Sequence, residues 1–203
     1  MNIVKPPFII RKLFSSAIWD LHTEDPILYL TFDDGPIPEV TPWVLDILKQ
    51  YNALATFFCV GANIKKNPEI FERLKAEGHS VGNHTFDHLN GWKTKTDVYM
   101  ENVHRCVEVN SGLFRPPYGK LKFSQYRNLL SEGFKIILWD VLSTDFDTTL
   151  SGEKCYNNVI ENAERGSIIV FHDSIKASER LYYALPKILE HYSRMNYKFL
   201  PLT

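Results

Sequence analysis

The 203-residue chain has only three cysteines, Cys59, Cys106 and Cys155, and no two of them form a CxxC pair. So scattered and odd a set argues against a disulfide framework and gives no support to a thiolate zinc site. Cys59 lies in the apolar run Ala55–Val60, where it reads as a small buried hydrophobe. The chain also lacks an excess of charge: 23 Lys and Arg stand against 24 Asp and Glu, a net −1. That balance removes the electrostatic reason to expect nucleic acid as a partner, and short basic runs such as Lys65-Lys66 read as solvated surface. No apolar run reaches transmembrane length. Near the N-terminus, Arg11 and Lys12 break Phe8-Ile9-Ile10, and Ser15 and Ser16 interrupt Leu13–Trp19, so no clean signal peptide is evident. With three unpaired cysteines this favours the cytoplasm, whereas a polymeric cell-wall substrate would favour the cell envelope. No GxGxxG follows the first apolar run, which counts against a dinucleotide site.

What is present is a globular composition, 44% hydrophobic and 13% aromatic, too apolar for disorder and long enough for a sizeable core. No linker or repeat divides the chain, so residues 1–203 read as one domain, with 1–26 as an N-terminal arm packed on it as a strand or clasp. From Ile27 on, short apolar runs alternate with amphipathic segments. Strands are expected at Ile27–Leu30, Ala55–Val60, Ser80–Gly82, Leu113–Phe114, Lys135–Trp139, Ser167–Phe171 and Phe199–Leu200. Helices are expected at Val40–Gln50, from Asn67-Pro68 to Gly78, and at Thr94–Val109, Phe123–Glu132 and Gly152–Arg165, with a last one carrying Leu181, Leu185, Ile188 and Tyr192. About seven β-then-α units argue for a parallel sheet covered by helices, either an open doubly wound sheet or a barrel.

Unusual polar clusters fall just after the expected strands, on the edge where parallel α/β folds collect catalytic groups. Asp33-Asp34-Gly35-Pro36 puts two carboxylates side by side at the end of a buried strand. Both stay ionised only beside something positive, such as a metal, although Asp-Gly-Pro is also ordinary turn chemistry. His84 and His88, four residues apart, can face one metal; Asp34 with these two is a sound ligand set for zinc and equally describes a non-haem iron site. Arg115-Pro116-Pro117-Tyr118-Gly119 is a stiff loop that can aim a backbone N–H at an oxyanion, and Arg115 can pair with a carboxylate. His172, directly after the strongest strand, suits a general acid or base, and Asp140, Asp145 and Asp147 are all candidates to orient it.

Together, TFDDGP (Thr31–Pro36), HTFDH (His84–His88), RPPYG (Arg115–Gly119) and FHD (Phe171–Asp173) resemble, in order and spacing, the motifs of the polysaccharide deacetylases with the NodB homology domain, carbohydrate esterase family 4. The resemblance runs from about Ile27 to the final strand. It implies a distorted (β/α) barrel and a hydrolase that removes N-acetyl groups from an N-acetylated sugar or polysaccharide. It implies Asp33 as general base, Arg115 as its partner, His172 as general acid tuned by Asp145, and the Tyr118 N–H as an oxyanion donor. Asp34, His84 and His88 would hold a divalent metal, usually Zn2+. One motif departs: the family often shows Asp, two variable residues, then Asp-Trp, where this chain has Leu142 and Asp145-Phe146. Alternatives are the same fold acting on an O-acetyl ester or a formamido sugar, and a non-catalytic sugar-binding relic. Trp92, Trp43 and Tyr118 are candidates to stack on sugar rings.

Overall fold

A computed structural model describes residues 4–203. Eight short strands form its sheet: β1 (Ile27–Asp33), β2 (Thr56–Cys59), β3 (Ser80–Asn83), β4 (Leu113–Phe114), β5 (Lys135–Ile136), β6 (Val141–Leu142), β7 (Ile168–His172) and β8 (Lys198–Phe199). Seven run in the order β5-β4-β3-β2-β1-β7-β6, and β8 pairs with the start of β1. All these pairings are parallel. The architecture is a distorted (β/α) barrel.

Period-2 alternation sorts the strand residues. Leu28, Leu30 and Phe32 of β1 point to the helices, with Phe57 of β2 and Phe171 of β7. The Phe32 ring stacks on Phe57 at 4.9 Å and on Phe171 at 5.8 Å. The helices meet this layer with one apolar stripe each. In α2 (Thr41–Gln50) the stripe is Val44, Leu45 and Leu48; in α8 (Ser178–Arg194) it includes Leu181, Leu185, Ile188 and Leu189, the spacing of one helical face. The remaining helices are α1 (Phe8–Leu13), α3 (Gly61–Lys66), α4 (Pro68–Ala76), α5 (Thr96–His104), α6 (Phe123–Ser131) and α7 (Gly152–Ile160). Among the described residues no helix is long and apolar enough to cross a membrane.

The expected strand Lys135–Trp139 is instead split. Ile137 N–H still bonds the Phe114 carbonyl, but Asp140 N–H bonds that of Ile168, so the chain crosses here from β4 to β7 and the sheet order begins and ends on one stretch. This crossing takes the Ile137 and Leu138 carbonyls out of the ladder, where a buried arginine meets them. Two helices end early: Thr94–Val109 stops at His104, and Gly152–Arg165 stops at Ile160. The second must free its chain for Gly166, where a Cβ would lie 1.8 Å from the Leu21 carbonyl oxygen. Six-residue α3 went unread because it is too short to show a period. Asn67 does precede α4, but its side chain donates to the Pro36 and Asn63 carbonyls rather than capping.

Of the strand or clasp expected of the arm, the described residues hold α1 and then two single bridges, Ile18 with Ile137 and Asp20 with Ser167. The arm is held by Ala17 and Trp19, buried in an apolar cluster, and by charge. Arg11 pairs with Asp20 and, at 3.2 Å, with Asp140, while Lys5 reaches Asp140 at 3.4 Å and Glu164 at 3.0 Å.

Candidate active site

Asp33 and His172 are register partners at the C-terminal ends of neighbouring strands β1 and β7. Alternation therefore turns both side chains to the same face, opposite to Phe32 and Phe171. Arg115, just past β4, extends across the interior with its guanidinium 4.1 Å over the Phe58 ring. Its side chain is fully buried. Nη1 donates to Asp33 Oδ1 at 2.8 Å and to Thr31 Oγ1 at 2.6 Å, while Nε and Nη2 donate to the Ile137 and Leu138 carbonyls. Every face of the buried cation thus has a partner, which is the condition for burying it.

Asp34, with φ of 86°, turns away from its neighbour toward the two histidines. His88 Nε2 lies 3.1 Å and His84 Nε2 3.9 Å from Asp34 Oδ1. His84 Nδ1 is tied to the Arg115 carbonyl at 2.8 Å, so Nδ1 carries the proton and Nε2 offers its lone pair toward Asp34. Burial pushes the His84 pKa down to about 4, which keeps the ring neutral at physiological pH. Burial works to raise the Asp34 carboxyl, but His88, His172 and His84 outweigh it and hold it well below the usual carboxylate range. One atom from each of Asp34, His84 and His88 lies within 4.8 Å of the others. Tetrahedral ligands about 2.0–2.2 Å from a zinc ion stand roughly 3.3 Å apart. The donor types and spacing therefore fit a divalent ion.

His172 is held twice by Asp145: its backbone N–H donates to Oδ2 and its Nδ1 to Oδ1, both at 2.8 Å. Burial lowers the His172 pKa, but the Asp145 charge overrides it and carries the value up to about 9. Asp145 is itself fully buried, and Arg180 Nε donates to its carbonyl. Of the other aspartates offered by composition, Asp140 pairs with Lys5, Arg11 and Ser167, and Asp147 accepts from Thr149. Phe146 meets the His172 ring edge-on at 5.2 Å. Leu142 is half-buried, and its N–H bonds the Val4 carbonyl.

Tyr118 (φ 60°) and Gly119 (φ 64°) turn the RPPYG loop, and the Tyr118 ring lies 4.7 Å from the His88 ring. Asp34, Thr85, His88, Tyr118 and Thr144, all in loops at this end of the barrel, have positive φ. Such strain collects where tertiary contacts hold a loop for a purpose. Trp43 is packed on Tyr182 at 4.4 Å, which accounts for it by packing, whereas Trp92 and Tyr118 are exposed.

Sequence reasoning missed the supports. Asp173 is fully buried, accepts from Gly35 N–H at 3.0 Å and Thr41 Oγ1 at 2.5 Å, and is pushed up to about 8 by burial. A carboxylate directly after the strand Ile168–His172 was the available signal. Asn83 at the end of β3, which accepts from Thr85 N–H, and Asn158 of α7, which donates to Thr144 Oγ1, carried none, and neither did Arg180 of α8.

A barrel that gathers an Asp-His-His cluster beside a carboxylate and an imidazole, each with its own buried partner, is laid out as a hydrolase centre. The chain belongs to the polysaccharide deacetylase family, whose model matches residues 20–132. It is 34% identical over 194 residues to a peptidoglycan-N-acetylglucosamine deacetylase of Bacillus cereus, covering 91% of this chain and 90% of that one. It is 37% identical over 161 residues to a chitooligosaccharide deacetylase of Azorhizobium caulinodans, covering 75% and 76%. Among solved structures, the Bc1960 peptidoglycan N-acetylglucosamine deacetylase, in complex with 4-naphthalen-1-yl-N-oxidanyl-benzamide, superimposes with a TM-score of 0.88 at 32% identity, covering 97% of this chain and 95% of that one.

Proposed function

We propose that the protein is a metal-dependent N-deacetylase that hydrolyses the acetamide of N-acetylglucosamine units in a carbohydrate, giving acetate and a free amino sugar. The observation that carries this reading is the pair of individually buttressed groups, Asp33 on Arg115 and His172 on Asp145, beside the Asp34–His84–His88 cluster. A sugar-binding relic has no use for a braced base and a braced acid. The names of the relatives supply the substrate class.

Asp34, His84 and His88 would hold a divalent ion, zinc by their ligand types, and its chemistry there would be Lewis-acid polarisation of the acetamide carbonyl and acidification of the attacking water. Asp33 takes the proton from that water; its pairing with Arg115 fixes the carboxylate and leaves one oxygen for the work. The Tyr118 N–H faces the developing oxyanion, a contribution of about 3–4 kcal/mol for one good donor. His172, charged and held through Nδ1, gives the Nε2 proton to the amide nitrogen, which leaves as an amine.

The test is acetate release from N-acetylglucosamine oligomers after chelation, with and without added zinc. Release that vanishes and returns with the metal is expected. Asp33→Asn should abolish turnover while retaining the metal; a fully active variant would remove Asp33 from the base role.

A further inference from the structure

A pocket of about 340 Å³ adjoins the candidate active site, within the roughly 300–1,000 Å³ typical of small-molecule sites. The arm forms one wall through Ile10 and Phe14; Trp92, Tyr118 and Trp139 lie across from them. Tyr118 belongs to both places, since its ring also stands against His88. An occupant of the groove is therefore one residue's width from the cluster that would act on the acetamide.

Three of the polar groups that line the groove are already bonded within the protein. Trp92 Nε1 is spent on the Leu121 carbonyl and Trp19 Nε1 on that of Phe14, while the Tyr126 hydroxyl accepts from Ser16 N–H. Lys120, over the Trp92 ring at 5.2 Å, is the one charged residue of the lining among the described residues. The arm buries Ala17 and Trp19, but its α1 segment puts no side chain into the core. Ion pairs of Lys5 and Arg11 fix it, and in α1 Phe8 is 77%, Ile9 71%, Ile10 42% and Leu13 60% exposed. Of these four, Ile10 lines the groove, and exposed apolar side chains gathered at a concave site mark a binding surface.

We propose that this groove holds an apolar aglycone of the substrate, a hydrocarbon chain joined to the N-acylated amino sugar, so that the protein takes amphiphilic glycosides. Continuity with the candidate active site places the occupant on the substrate itself, and the inference rests on that reading of the site.

The experiment compares methyl and octyl β-glycosides of N-acetylglucosamine, below the micelle concentration of the latter, by tryptophan fluorescence titration of the full chain and in parallel by acetate release. Each buried methylene contributes about 0.8 kcal/mol, close to fourfold in affinity. The octyl compound is expected to bind at least tenfold more tightly, and in Ile10→Glu the octyl-to-methyl ratio should fall to near one. Equal affinities overturn the proposal, as does an octyl preference that Ile10→Glu leaves intact, which marks adsorption elsewhere. A concentration-dependent dimer by light scattering that Ile10→Glu dissociates, with no octyl preference, assigns the groove to a second copy and also overturns it. Acetate release failing for every glycoside speaks against the deacetylase reading alone, because the binding ratio still reads the groove.

Discussion

Arg115 and Asp33 meet at 2.8 Å inside the barrel, the arginine fully buried and the carboxylate nearly so. The pair also closes the sheet, because the same guanidinium binds the Ile137 and Leu138 carbonyls that the crossing from β4 to β7 leaves outside the ladder. Arg115→Met removes one partner of a buried pair and orphans both carbonyls, a loss on the order of 3–5 kcal/mol. Denaturant unfolding with and without Asp33→Asn checks it. The double variant should recover part of the loss, since it no longer buries an unpaired charge; strict additivity of the two changes would count against the coupling.

His172 is raised from an ordinary 6.5 to about 9 in the folded protein by Asp145. A cation stabilised by folding contributes fully below the unfolded value, and its contribution fades as pH rises through the folded one. In metal-free protein the Asp145→Asn difference should therefore be largest near pH 6, on the order of 3 kcal/mol, and shrink toward pH 10. Asp173, pushed up to about 8, titrates in the same range in both proteins and cancels in the comparison. Thermal unfolding across that interval is the measurement; a constant difference would show that Asp145 acts on His172 only by position. With turnover as the readout, the alkaline limb should move to lower pH in Asp145→Asn.

The proposed ligand cluster, Asp34, His84 and His88, predicts stabilisation by metal. His84 is neutral at pH 7 with its free nitrogen toward Asp34, so binding should need no deprotonation of that ring. Zinc at a hundredfold over its dissociation constant should add about 2.7 kcal/mol to wild-type stability. His84→Ala should lose this increment and the calorimetric binding signal together. An equal zinc shift in wild type and variant would place the ion elsewhere.

The legible part of this fold is what repeats. Ile27–Leu30 and Ser167–Phe171 announce themselves as apolar runs, and the α8 stripe by its spacing, because burial on a regular element leaves a periodic trace. The candidate site was legible at Asp33, Asp34, His84 and His88 because they stand in ordered motifs in the loops that follow expected strands. What escaped depends on contacts distant in sequence. The split at Ile136 follows from a strand changing neighbours, which no local pattern encodes. Nor could composition separate Asp140 from Asp145: both come after the expected strand Lys135–Trp139, but one faces Lys5 and Arg11 of the arm and the other His172.

Gly35 stands next to Asp34, a proposed metal ligand. A Cβ there would lie 2.0 Å from Asp173 Oδ2 and 2.7 Å from its Cγ. Gly35→Ala therefore forces Asp173 away from both the Gly35 amide and the Thr41 hydroxyl that hold it. Overpacking at so closed a point costs about 1–3 kcal/mol and shifts the backbone that orients Asp34. Zinc affinity and stability should fall together. Asp173→Ala alone also loses the two hydrogen bonds, but it opens the space. If the clash is the cause, Gly35→Ala/Asp173→Ala should be no worse than Asp173→Ala. Calorimetry of zinc binding across the three variants decides it: a double variant weaker than either single one would mean that Gly35 is needed for its backbone conformation and not for the room it leaves.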